Sequence, residues 1–131
     1  IGGGGFHHVA IRVPNFEKTV AFYTEGLGFK ERISWGGDGR QVAMLDAGDG
    51  NYLEVFSGGE QKDDSGTIIH FALRTADCDA ATQRAIAAGG KLKVEPKDVT
   101  IDANQGPVPV RISFVISPSG EEIEFFENSL T

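Results

Sequence analysis

Two stretches of the chain, HHVAIRVPN from His7 to Asn15 and IHFALRTAD from Ile69 to Asp77, each carry a histidine followed four positions later by an arginine. His8 matches His70, Ala10 matches Ala72 and Arg12 matches Arg74, all at an offset of 62 (70 minus 8). Two further stretches, YLEVFS and EIEFFE, also resemble each other and set Glu54 against Glu124 at an offset of 70 (124 minus 54). Imidazole and carboxylate together suit borderline divalent metals such as Ni, Co, Zn, Mn or Fe. Two of each leave two positions of an octahedral site open for water or substrate, which is what a catalytic centre requires.

A single strand histidine is ordinarily a satisfied core or surface residue, and a single strand glutamate a solvated one. The metal reading gains weight because the same pair recurs at equivalent places. It gains more because the glutamates sit among aromatic rings: Tyr52 and Phe56 flank Glu54, and Phe126 follows Glu124. An isolated carboxylate in such surroundings is costly unless a cation or metal pairs with it. His7 points away from His8 in a regular strand, so it reads as a surface or core residue and a poor ligand. Glu122 shares a face with Glu124 and is its main rival, whereas Glu121 and Glu127 fall on the opposite face. Arg12 and Arg74 share the faces of their histidines, about 13 Å along at roughly 3.3 Å per residue. That is too far for metal chemistry and suited to holding an anionic group of a substrate through bidentate hydrogen bonds.

The elements that must position these groups follow from periodicity. Alternation puts His70, Ala72 and Arg74 on one face of a strand and the apolar Ile69, Phe71 and Leu73 on the other, which is the expected core face. A helix pattern follows each histidine strand. In the first copy Asn15 caps, Phe16, Val20, Tyr23 and Leu27 form the apolar stripe, and Gly26 and Gly28 end the helix. In the second copy Asp77 caps, an alanine-rich run extends from Ala80 to Ala88, and Gly89 and Gly90 stop it. Three strand-like runs come next in each copy: FKERISW, RQVAMLDA and NYLEVFS, then KLKVEPKDV, VPVRISFVIS and EEIEFFE. The turns between them are WGGDG, GDGN and SPSG.

The unit is therefore βαβββ used twice, and the fold class expected is α+β. Two modules, 6–58 and 66–128, make a single domain over 6–131, each curling a mixed sheet around one side of a metal cleft with the helices outside. The difference between the two offsets places eight extra residues in the second module, most simply in a loop around IDANQGPVP.

At 131 residues, 40% hydrophobic and 24% charged, the chain suits a globular protein with room for one domain or two small modules. A net charge of −7, from 12 basic and 19 acidic residues, disfavours nucleic acid as a partner. No apolar stretch approaches the roughly 20 residues needed to cross a bilayer, so no membrane partner is expected and the location expected is cytoplasmic. The single cysteine, Cys78, rules out a disulfide within the chain and carries no assigned role. The opening IGGGG reads as an expression remnant or a flexible end, since a phosphate-cradling glycine loop should follow a strand and open a helix.

With both modules in view, the sequence resembles the vicinal-oxygen-chelate superfamily, which includes glyoxalase I, methylmalonyl-CoA epimerase, extradiol dioxygenases and the fosfomycin and bleomycin resistance proteins. HHVAIRVPNFEKTVAFYTEGLGF looks like its opening strand and helix, IHFALRTADCDAA like the start of its second module, and SPSGEEIEFFE like its closing turn and strand. The resemblance runs from Phe6 to Glu127 and implies metal ligands at His8, Glu54, His70 and Glu124. Glyoxalase I fits this set best, since the epimerases usually carry glutamine where this chain has Glu54.

Several expectations come with the resemblance. The activity is a metal-dependent, glyoxalase I-like lyase or isomerase converting the thiol hemithioacetal of a 2-oxoaldehyde to a 2-hydroxyacyl thioester through an enediolate, with Glu124 or Glu54 as the base. The metal is Ni or Co in the short bacterial enzymes, with Zn, Mn or Fe as further options. Arg12 falls where glyoxalase I holds glutathione's carboxylate, Arg74 is its counterpart in the second module, and the assembly expected is a homodimer. The chain departs from glyoxalase I after Glu54, where VFSGG replaces a polar and aromatic stretch, and at GPVPV, which replaces a usual Lys-Gly. These departures leave the thiol open. Two other readings are an epimerase-like metalloenzyme and a metal-free binder of small hydrophobic drugs, for which Trp35, Phe56 and Phe126 would be stacking surfaces.

Overall fold

The structure is a computed structural model and describes residues 4–59, 67–118 and 120–131. The first residues of the IGGGG stretch, residue 66 at the start of the second module, and Ser119 of the SPSG turn lie outside the described residues. The elements are β1 (Phe6–Arg12), α1 (Phe16–Ala21), β2 (Lys30–Trp35), β3 (Val42–Asp46), β4 (Tyr52–Phe56), β5 (Thr67–Arg74), α2 (Cys78–Ala87), β6 (Lys91–Ala103), β7 (Gly106–Ile116) and β8 (Glu122–Glu127). The order is βαβββ twice, as expected from the sequence. Among the described residues no helix is long and apolar enough to cross a membrane.

Two compact units divide the chain. One holds His8–Ile69 with Asp102–Pro107; the other holds His70–Ile101 and Val108–Thr131 together with the start of the chain through His7. In the first unit the strand order is β2-β3-β4-β1, with β1 parallel to β4 and the other pairs antiparallel. Val13, Ala43, Leu45 and Val55 form its core, with Ile11, Phe16, Val20, Tyr23, Phe29 and Leu53 packed against them. Alternation along each strand therefore turns one face toward α1 and leaves His8, Ala10 and Arg12 on the other. Asn15 caps α1 as expected, its side-chain oxygen accepting from the Lys18 amide at 3.0 Å.

The apolar stripe of this helix does not run on to Leu27. After α1 the chain makes a π-helical turn over Phe22–Gly26, closed by the Leu27 amide donating to the Phe22 carbonyl at 3.2 Å. The wider turn rotates Leu27 outward, where it is 57% exposed, and Phe29 takes its place against the core.

In the second unit the order is β5-β8-β7-β6, with β5 parallel to β8 and β7 antiparallel to it. Cys78, Ala81, Val115 and Phe125 form the core beneath α2, joined by Leu73, Ala85 and Ile123. Leu73 thus faces the core as expected. The opposite face is not left to solvent, because Ala72 is 0% exposed. Asp77 caps α2 by accepting from the Ala80 amide at 3.0 Å, and the Glu127 carboxylate accepts from the Cys78 amide at 2.7 Å.

The eight additional residues are not a loop. They lengthen β6 and β7 into a hairpin of 13- and 11-residue strands that turns at Asn104 and Gln105. The turn docks on β2, where the Asn104 amide donates to the Ser34 carbonyl at 2.6 Å and the Ser34 amide donates to the Gln105 side-chain oxygen at 2.9 Å. Composition alone read Gly-Pro-Val-Pro as a loop. Strand hydrogen bonding tolerates those prolines where the missing donors face away from a neighbour.

Cys78 is 0% exposed, beside the Ser113 hydroxyl at 3.6 Å, and the Ser113 and Thr82 hydroxyls are hydrogen-bonded to each other at 2.6 Å. Burial pushes its thiol above the ordinary value of 9.0, an effect only partly offset by hydrogen bonds with Ser113 and Thr82. Because the folded value is the higher one, stability linked to this thiol is present below pH 9.0 and lost as the pH rises through the folded value. The native protein should accordingly react with a disulfide reagent far more slowly than the urea-unfolded chain at mildly alkaline pH. A rapid, stoichiometric reaction of the native protein would show that the thiol is accessible.

Candidate metal centre

Each unit places one histidine beside one glutamate. In the first, parallel pairing sets Ala10 opposite Glu54, and His8, two residues earlier on the same face, reaches the carboxylate with Nε2 to Oε1 at 3.1 Å. In the second, Ala72 lies opposite Glu124, and His70, again two residues earlier, reaches it at the same distance of 3.1 Å. Both alanines are 0% exposed. A small side chain beside each glutamate leaves its carboxylate room to meet the histidine diagonally, so the repeated alanine is part of the device. The other neighbours also correspond: Met44 pairs with Glu54 and Phe114 with Glu124. Phe114 meets the His70 ring edge-on with centroids 5.4 Å apart.

All four side chains are withdrawn from solvent: His8 is 1% exposed, Glu54 6% and Glu124 5%, and the His70 side chain 9%. A buried carboxylate requires a compensating partner, and each has an imidazole. The donor spacing also suits a metal. Two donors bound to one ion at about 2.1 Å and at right angles are about 3.0 Å apart, close to the observed 3.1 Å. Within each unit the pair, one nitrogen and one oxygen, therefore has the chemistry and spacing to coordinate a divalent ion.

The rivalry between Glu122 and Glu124 is resolved by β6. The Glu122 carboxylate is taken by the Lys93 ammonium at 2.5 Å and stays partly exposed, while Glu124 turns to His70. His7 is a core residue: it is 0% exposed, its ring lies 4.3 Å from Phe126, and its Nε2 is 2.6 Å from the Thr131 hydroxyl.

The two arginines, equivalent in the repeat, are used differently. Arg12 is exposed; it donates to the Ser57 carbonyl at 3.1 Å, with its guanidinium 5.2 Å from the Phe56 ring centre. Arg74 is half-buried, and its guanidinium donates to the Thr131 main-chain oxygen. Nothing in the local sequence distinguishes them, because Thr131 reaches Arg74 only through the tertiary fold. Of the aromatic residues that would serve a drug binder, Trp35 and Phe56 share Val42 as cross-strand neighbour on β3, and Phe126 is buried against His7.

This architecture, two repeated βαβββ modules, each a mixed sheet backed by a helix, is the glyoxalase-like fold. A family profile described as the Glyoxalase/Bleomycin resistance protein/Dioxygenase superfamily matches residues 5–125, and the chain belongs to that superfamily. It is similar to a probable lactoylglutathione lyase from Vibrio parahaemolyticus serotype O3:K6 (strain RIMD 2210633), at 30% identity over 138 residues, covering 98% of this chain and 94% of the relative. Among solved structures it resembles a methylmalonyl-CoA epimerase from Mycobacterium tuberculosis, with a TM-score of 0.73 at 24% identity, covering 95% of this chain and 88% of the other. It also resembles a hypothetical protein from Bacillus halodurans C-125, with a TM-score of 0.70 at 19% identity, covering 96% and 95% of the two chains.

Proposed function

We propose that the protein is a metal-dependent, glyoxalase I-like lyase or isomerase that converts the thiol hemithioacetal of a 2-oxoaldehyde to a 2-hydroxyacyl thioester. The observation that carries this reading is the duplicated, buried His–Glu pair, His8 with Glu54 and His70 with Glu124. The relative named as a probable lactoylglutathione lyase supports it. So does the carboxylate at Glu54, where epimerases of the superfamily usually have an amide.

In this reading His8, Glu54, His70 and Glu124 hold one divalent ion, nickel or cobalt before zinc, manganese or iron. Such an ion, when bound, would supply Lewis acidity that makes the substrate C–H more acidic. The proton itself is moved by the chain. Glu124 takes it from the carbon bearing the sulfur, keeps it in a site shielded from solvent, and returns it to the neighbouring carbon, with Glu54 as the alternative base. Burial helps at both steps, because a proton held out of contact with water is returned rather than exchanged. Arg12 binds the anionic end of the substrate, and Arg74 would serve likewise only by exchanging its Thr131 partner. A homodimer in the cytoplasm is the setting proposed, consistent with a single cysteine kept as a buried thiol.

The test is to load the protein separately with nickel and with zinc and follow the hemithioacetal of methylglyoxal and glutathione. Metal-dependent formation of the lactoyl thioester is expected. Metal binding without turnover would discard this substrate and send the search to other thiols and to acyl-CoA epimerisation.

A further inference from the structure

Glu122 and Glu124 share one face of β8, and by backbone position Glu122 is the nearer of the two to His70. Parallel pairing sets Phe71 opposite Ile123 and Ala72 opposite Glu124, so one step back along both strands brings His70 beside Glu122. Neighbouring strands lie about 4.8 Å apart, whereas a diagonal of two residues, as from His70 to Glu124, spans roughly 8 Å. Yet His70 meets Glu124 at 3.1 Å, and the Glu122 carboxylate is on Lys93 at 2.5 Å. We propose that Lys93 is a positioning residue that selects the donor set of the second unit: it withholds Glu122 from His70 and from a metal bound there, and so sets which divalent metals the unit prefers. The inference deepens the metal reading above and rests on it for the metal preference; the withholding of Glu122 stands on contacts within one unit.

Direction is the first reason. The strands of the unit run in the order β5-β8-β7-β6, so His70 on β5 and Lys93 on β6 lie on opposite sides of β8. To reach the ammonium, the Glu122 side chain turns across β7, where Ile116 is its cross-strand partner, and therefore away from His70. Glu124 is placed to turn the other way. Its partner on β5 is the small Ala72, and its partner on β7 is Phe114, whose ring meets His70 edge-on with centroids 5.4 Å apart. Lys93 and Phe114 thus act in opposite senses on two glutamates that the strand itself presents alike.

The repeat supplies the second reason. At the offset of 70 that relates the two final strands, Glu122 corresponds to Tyr52 (122 minus 70), which is the register partner of His8. At the offset of 62 that relates the earlier elements, Lys93 corresponds to Glu31 (93 minus 62). The carboxylate beside the histidine and the lysine that takes it therefore occur together in one unit and are both replaced in the other. Where a phenol stands in place of the second carboxylate, no ammonium is needed to hold it back. With side chains 52% and 24% exposed, the Lys93–Glu122 pair adds little to stability. Its consequence lies in where it puts Glu122.

Metal preference follows from donor type. With Glu122 withheld, the unit presents one imidazole nitrogen and one carboxylate oxygen. With Glu122 released, it would present one nitrogen and carboxylates from two glutamates. Imidazole suits nickel and zinc, whereas added carboxylate oxygens suit the harder manganese. A second carboxylate would also take up a coordination position that an open, substrate-binding site must keep vacant. Lys93 thereby keeps the unit in the nitrogen-rich form and keeps that position open.

The test uses the full chain stripped of metal by a chelator and titrated with nickel and, separately, with manganese. The proteins compared are the parent, Lys93→Met, Lys93→Arg and the double variant Lys93→Met with Glu122→Gln; Lys93→Gln replaces Lys93→Met if circular dichroism shows that variant unfolded. Lys93→Met is expected to move the ratio of the two affinities at least about tenfold toward manganese, and Lys93→Arg to keep the parent ratio. Adding Glu122→Gln is expected to restore the parent ratio, because the effect runs through that carboxylate. An unchanged ratio in Lys93→Met, or a shift that persists in the double variant, would overturn the role given to Lys93. A parent that binds neither metal would count against the proposed reaction, and the metal-free proteins then decide by NMR of the His70 ring nitrogens. Signals that move in Lys93→Met and return in the double variant support the withholding of Glu122; signals that stay, or that fail to return, overturn it.

Discussion

Glu124→Gln is expected to reduce turnover by about 10²–10⁴-fold, the range ordinarily supplied by a positioned general acid or base. Much of the metal should stay bound. The amide keeps an oxygen donor at the place where the carboxylate meets His70 at 3.1 Å, so it conserves the shape of the site while removing the group proposed to accept a proton. Steady-state rates measured alongside metal content decide the point. Loss of rate with metal retained assigns the base to Glu124. Full activity would move the base to Glu54, and if Glu54→Gln were fully active as well, the mechanism would fail.

The second large effect expected is on stability. Because the unfolded chain cannot assemble the ligands, a metal present at 1,000 times its dissociation constant should stabilise the fold by about 4 kcal/mol. For a domain of this size that corresponds to a rise of about 10 °C or more in the melting temperature. Nickel or zinc added to chelator-treated protein should produce it, and His8→Ala should abolish most of it. His8→Ala also leaves the Glu54 carboxylate, 6% exposed, without its imidazole. Removing one member of a buried pair costs about 3–5 kcal/mol, so the metal-free variant should melt well below the metal-free parent. A protein whose melting temperature ignores both metals would favour the drug-binding reading, in which Trp35 and Phe56 provide the contact surface.

The pairing of each histidine with a glutamate was legible in the sequence because duplication supplies a second observation for every residue. One histidine on a strand says little, but the same His, Ala and Arg spacing found twice, each with a glutamate on its unit's final strand, points to one geometric device used twice. The helix caps at Asn15 and Asp77 and the alternation that turns Leu73 inward were legible for a related reason: they depend on local backbone geometry and on period. Leu27 shows the limit of period. A single π-helical turn shifts the phase of the stripe, and no residue type in FYTEG announces it.

What the sequence by itself determined is the repeated βαβββ order, the face on which His8, His70, Glu54 and Glu124 stand, and the acidic character of the chain. Only the tertiary structure decided that Lys93 takes Glu122 and leaves Glu124 to His70, that the IDANQGPVP segment is a hairpin docked on Ser34, and that Thr131 occupies Arg74. The physical reason is the same in every case. Periodicity fixes the direction in which a side chain points along its own element, whereas the partner it meets there arrives from a distant part of the chain and is set by packing.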